Sequence, residues 1–166
     1  MIQNTNTRLP EDEEKTFRAQ AWAYFSLHAA QRMQSFQFYI TLVTALVGGA
    51  IVLMKSDGAS HMWLALIYAI ASLLSFVFWK LDCRTRLLIK NAEAALKYLD
   101  YQYNLSDVDG LPHPLRLFDK DEVMAGHSSA GNIWNSELSY SKCFNLVFAI
   151  FGYGGAALAV KFVLFN

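Results

Sequence analysis

The sequence predicts an all-α integral membrane protein with three transmembrane helices, the first two forming a long helical hairpin that extends into the cytoplasm. Apolar stretches occupy residues 36–54, 62–79 and 144–165, and none carries a charge near its centre. As helices rising about 1.5 Å per residue they measure about 28, 27 and 33 Å, against a hydrocarbon layer about 30 Å thick. The polar residues are segregated from these stretches. Positions 1–20 and 80–141 hold nearly all the acidic groups and most of the basic ones. A soluble fold would have to hide three such helices in 166 residues, with too few polar faces left to cover them.

The first helix is expected to start well before its apolar stretch. Prolines stand only at 10, 112 and 114, so nothing forces a break between Glu11 and Met54. Pro10 followed by Glu11, Asp12, Glu13 and Glu14 supplies a helix start, with acidic groups against the positive end of the dipole. Phe17, Ala21, Tyr24, Phe25 and His28 recur at three- and four-residue spacing, an amphipathic lead into the first span.

The second helix leaves its span in the same way, without Gly or Pro to about Tyr103, and Leu81, Leu88, Ala92, Ala95 and Leu99 form its apolar stripe. If the turn centres on Gly58, residues equidistant from it face one another. Arg32 then lies near Arg84 and Asp82, His28 near Leu88, and Phe25 near Asn91 and Ala92. Arg32 and Asp82 are the candidate interhelical ion pair, because a charge at the membrane edge needs a partner.

Residues 101–140 read as a cytosolic connection containing Gly110, both later prolines and the flexible run AGHSSAGN. Its length makes it a candidate for function. His113, Asp119, Asp121 and His127 read there as solvated turn residues rather than a metal site. Cys83 and Cys143 each stand at the end of a span, with no metal-ligand spacing around them, and are expected to be reduced thiols. The expected organisation is a cytoplasmic N-terminal amphipathic helix at 1–35, a transmembrane hairpin at 36–79, a cytoplasmic extension and loop at 80–141, and a third span at 142–166.

Orientation follows from Lys and Arg. Arg8, Lys15, Arg18 and Arg32 precede the first span and Lys80, Arg84, Arg86, Lys90 and Lys97 follow the second, whereas the turn has only Lys55. The N-terminus is expected in the cytoplasm and Asn166 outside, in a bacterial inner membrane. The start MIQNTNTRLPEDEEK has no signal-peptide pattern, so the first span should serve as the insertion signal.

Charge and motif inventory exclude several functions. With 14 basic and 14 acidic residues there is no basic field for direct nucleic-acid binding. No phosphate loop, nucleophile elbow, paired catalytic carboxylates or HExxH occurs, so no catalytic residue, metal or cofactor is assigned. Small residues recur four apart at Ala45 and Gly49, at Gly152 and Ala156, and at Gly155 and Ala159, which suits close helix packing and points to a homo-oligomer in the lipid bilayer. Thr41 and Thr44 on the first span, with Ser72 and Ser75 on the second, are candidate pore-lining residues. Arg84, Arg86 and Lys90, within two turns of one helix, are a candidate patch for a cytoplasmic sensor protein or a small anionic ligand.

The run YFSLHAAQRMQSFQFYI entering the first span and FWKLDCRTRLLIKNAEAALKYLD leaving the second resemble RipA-type octameric prokaryotic membrane proteins. The specific parts are the HAxQRM and LDxRxRxLIKxAExAL patterns, and the resemblance covers roughly residues 20–103. It implies homo-oligomerisation, an inner-membrane location and no catalytic residues. Similar small proteins are effectors of bacterial antiphage systems. The expectation is therefore an effector that permeabilises or depolarises the membrane when triggered; the alternative is a non-catalytic oligomeric scaffold that recruits a cytoplasmic partner.

Overall fold

The computed structural model describes residues 10–56, 60–103, 107, 112–113, 115–120, 123 and 140–164. The turn at Gly58, together with Asp121, His127 and Asn166, lies outside them. The described residues hold three long helices and no strand: α1 (Glu11–Met54), α2 (His61–Tyr101) and α3 (Tyr140–Leu164). All three are long and apolar enough to cross a membrane.

Local chemistry sets the helix ends. At the start of α1, Glu14 N donates to Pro10 O at 2.9 Å, and four acidic residues fill the first turn. The helix closes where Lys55 N and Ser56 N donate to the carbonyls of Val52 and Leu53, three residues back. Ser60 opens α2 as an N-cap, its hydroxyl accepting from Met62 N at 3.3 Å.

The chain divides into two compact units. One comprises Met1–Ala29 and Leu87–Glu137; the other comprises Ala30–Arg86 and Leu138–Asn166.

In the first unit, Arg18 ties the two helices together. Its guanidinium donates to Asp100 Oδ1 at 2.7 Å and to Glu14 Oε1 at 3.1 Å. The Asp100 hydrogen bond, larger than the desolvation that opposes it, raises the Arg18 pKa further above its ordinary value. Ala92, Leu96 and Leu99 are the buried stripe of α2 here. Phe25, expected beside Asn91 and Ala92, has its ring edge-on to Phe118 at 5.4 Å, and His28 packs on Tyr24 at 4.3 Å.

The connection after α2 corrects the solvated-turn reading at Asp119. This carboxylate is 12% exposed, lies 3.2 Å from Lys97 Nζ and hydrogen-bonds the Tyr101 hydroxyl. Arg116 sits over the Tyr101 ring at 4.6 Å. Phe118 brings the segment down: an aromatic ring with an apolar surface to cover carries Asp119 onto the two polar partners of α2.

In the second unit α1, α2 and α3 each touch the other two. Tyr39, Val43, Phe144 and Phe148 form the buried core. Phe36 stacks on Phe144 at 3.7 Å, Tyr39 packs on Phe148 at 4.8 Å and on Phe78 at 5.3 Å, and Tyr68 stacks on Phe162 at 5.8 Å. Within hydrocarbon, burial of apolar surface does not itself drive association, so aromatic packing and interhelical hydrogen bonds carry this core.

Candidate functional site

Arg32 joins the three helices at one end of the second unit. Its Nε donates to Asp82 Oδ1 at 2.6 Å, and its Nη2 donates to Asp82 Oδ2 at 3.3 Å and to the Ser141 hydroxyl at 3.1 Å. Its guanidinium carbon lies 5.0 Å from the centre of the Phe144 ring. The fork geometry of arginine suits this two-point grip on a carboxylate. Both side chains are largely buried, at 14% and 5% exposure, and Arg86 stands 3.8 Å from the second Asp82 oxygen.

About two helical turns further along, Tyr39 Oη and Ser75 Oγ lie 2.8 Å apart, and Ser75 also donates to Ala71 O at 2.8 Å. Ser72 donates to Gly152 O, also at 2.8 Å, bringing α2 against α3. Gly155 makes that approach possible, because a Cβ there would stand 3.0 Å from Tyr68 O and 3.2 Å from Ser72 N. Gly152 faces Ser75 Cβ at 3.5 Å from the same ideal position.

These contacts sort the residues singled out from the sequence. Gly152 and Gly155 serve packing within one chain, whereas Ala45, Gly49 and Ala156 are exposed and Ala159 is half-buried. Nothing lies within 4 Å of a Cβ built at Gly48 or Gly49. Ser75 is buried and Ser72 half-buried, both with their hydroxyls engaged by the chain's own helices. Thr41 and Thr44 are exposed, and Thr41 donates to Gln37 O at 3.0 Å. Arg84 is exposed and Arg86 half-buried in the second unit; in the first, the exposed Lys90 lies 3.4 Å from Glu93.

Two surfaces of the second unit stand out. On α1, the face read from the sequence at Thr41 and Thr44 extends through Gln34, Gln37 and Gly48 as an exposed, uncharged stripe. Between α2 and α3 runs a groove of about 530 Å³ with Phe76, Asn145 and Tyr153 among its lining residues and none from α1. Asn145 Oδ1 is enclosed without a hydrogen-bond partner. An Asn in the opening turns of an apolar helix was a visible signal for it. Among the described residues no group of three or more His, Cys, Asp or Glu is arranged to hold a metal, and neither Cys83 nor Cys143 forms a disulfide.

Residues 17–164 match the model of the octameric membrane protein family. The chain is similar to CD-NTase-associated protein 19 of Escherichia coli, with 36% identity over 153 residues, 90% of this chain and 92% of the relative. No solved structure matches it. Three spanning helices, a packed interhelical core and a family match over nearly the whole length agree, and the chain belongs to the octameric membrane protein family.

Proposed function

We propose that this chain is the membrane-permeabilising effector of an antiphage, abortive-infection system. It works as a homo-oligomer in the bacterial inner membrane, with the N-terminus in the cytoplasm, and is triggered through its cytoplasmic part. The observation that carries the reading is the similarity, over nine-tenths of the chain, to a protein named for its association with a CD-NTase. The octameric family supplies the assembly that a membrane lesion requires.

The physical route starts from continuous helices. α1 and α2 each hold residues of both units, so a ligand or sensor protein acting on the cytoplasmic part acts on the helices that cross the membrane. Arg84, Arg86 and Lys90 are the proposed receiving patch for an anionic ligand or acidic partner surface. The uncharged Thr41 and Thr44 face meets water only when subunits separate, and a path lined by such groups discriminates poorly among ions.

Phage challenge of cells carrying the chain together with a CD-NTase tests this directly. Protection should appear with both proteins present and vanish with a chain truncated before α3. Equal plaque counts with and without the intact, inserted chain would refute the reading.

A further inference from the structure

The second unit carries two unfilled polar demands on different faces at one depth in the membrane. On α1, the Gln37 side chain is exposed and makes no described hydrogen bond, although its backbone carbonyl serves Thr41. Across the unit, Asn145 lines the α2–α3 groove with an unpartnered amide oxygen. Phe36 stacked on Phe144, and Tyr39 packed on Phe148, put residues of α1 level with residues of α3 about 108 positions later. Gln37 therefore lies at the level of Asn145. The groove has no α1 lining, so it opens on the side of the three-helix unit away from α1.

A ring whose axis runs along the membrane normal preserves depth from one subunit to the next. Its joints are head-to-tail, so each subunit must offer two different faces. The α1 stripe and the α2–α3 groove meet both conditions. We propose that in the octamer α1 of one subunit lies in the α2–α3 groove of the next, with Gln37 of one chain hydrogen-bonded to Asn145 of its neighbour. Rotation about χ2 exchanges the two ends of an asparagine amide within the same volume, so either end of Asn145 can meet the glutamine.

Shape follows the same register. Tyr153, 81% exposed, falls level with Ala45 and next to Gly48, where α1 has no bulk and nothing within 4 Å of a Cβ at Gly48. The tyrosine is a knob without a hole in its own chain, and small residues on the neighbour provide one. Further along, the groove continues for about 660 Å³ beside Trp63, Leu66 and Val160, and Val52 of α1 lies level with Val160. A lipid acyl chain fills such space but offers neither amide a hydrogen bond at this edge of the spans, whereas a second copy of this chain offers one to each.

The inference rests on family membership and geometry, and stands whether or not the assembly permeabilises membranes. Its test uses the full chain in membranes with Cys83→Ser and Cys143→Ser, adding Gln37→Cys together with Asn145→Cys, followed by mild oxidation and electrophoresis without reductant. A ladder of disulfide-linked species extending beyond the dimer is expected. Gln37→Cys alone giving dimers would overturn the assignment, because α1 faces would then meet each other. An intact octamer with no cross-link, as for a lipid-filled groove, would also overturn it.

A second measurement avoids new cysteines. Gly48 is exposed and a Cβ there meets nothing within 4 Å in its own chain, so with Gly48→Leu helix content and insertion should persist while the octamer falls to smaller species. An octamer that survives Gly48→Leu unchanged would contradict the joint.

Discussion

Arg32 Nε and Asp82 Oδ1 lie 2.6 Å apart where α1, α2 and α3 meet, and the same guanidinium reaches Ser141. One side chain thus fastens both helices of the hairpin to the third. Arg32→Met should cost about 3 kcal/mol, because it leaves the buried Asp82 carboxylate with only the longer contact to Arg86 at 3.8 Å. The double variant Arg32→Met with Asp82→Leu should recover most of that loss. Thermal unfolding of the purified protein in detergent checks both, and equal losses in the single and double variants would show that the charge is not what matters.

Gly155 sets how closely α3 approaches α2. Gly155→Ala places a methyl 3.0 Å from Tyr68 O, backbone that cannot swing aside, so the helices must separate. The expected loss is about 1–3 kcal/mol, with weakening of the Ser72 to Gly152 hydrogen bond. Gly154→Ala meets nothing within 4 Å and should be neutral. The two variants, compared in one melting series, separate packing from helix propensity.

Tyr101 gives a pH dependence whose sign is fixed. The hydrogen bond to Asp119, then the carboxylate's charge, raises its pKa above 10.0. A raised pKa means that this contact stabilises fully below pH 10.0 and is lost as pH rises through the folded value. The tyrosinate absorbance assigned by comparison with Tyr101→Phe should therefore appear later than that of a free tyrosine. In Asp119→Asn it should move back toward the ordinary value.

The spanning architecture is legible in the sequence because charge and apolarity are segregated along it. Counting outward from one polar turn puts Arg32 and Asp82 at one level, and their side chains are in contact. The roles of the small residues are not legible, since four-residue spacing is the same whether a helix packs within its chain or against a neighbour. Gly152 and Gly155 face α2 of their own chain, whereas Ala45, Gly49 and Ala156 remain exposed. Asp119 was misread because a segment bounded by Pro and Gly has no periodicity, so nothing local marks Phe118 as the ring that docks it. Asn145 and Gln37 gain meaning only once the stacking of Phe36 on Phe144 sets their relative depth.

The basic residues after the second span separate two roles by experiment. Reversal of Arg84, Arg86 and Lys90 to glutamate should abolish triggered toxicity while insertion and octamer mass persist, as a receiving patch requires. Loss of insertion would make these residues topology signals alone. Unaltered toxicity with correct insertion would remove the patch from the account.

The most direct measurement of the central claim is inner-membrane potential, followed with a voltage-sensitive dye in cells expressing the chain with a CD-NTase and then infected by phage. Rapid depolarisation that requires the intact chain, and that is blocked by the Gln37 to Asn145 cross-link, is the predicted result. An unchanged potential during infection, with the protein inserted and assembled, would contradict permeabilisation and leave a scaffold whose cytoplasmic partner carries the activity.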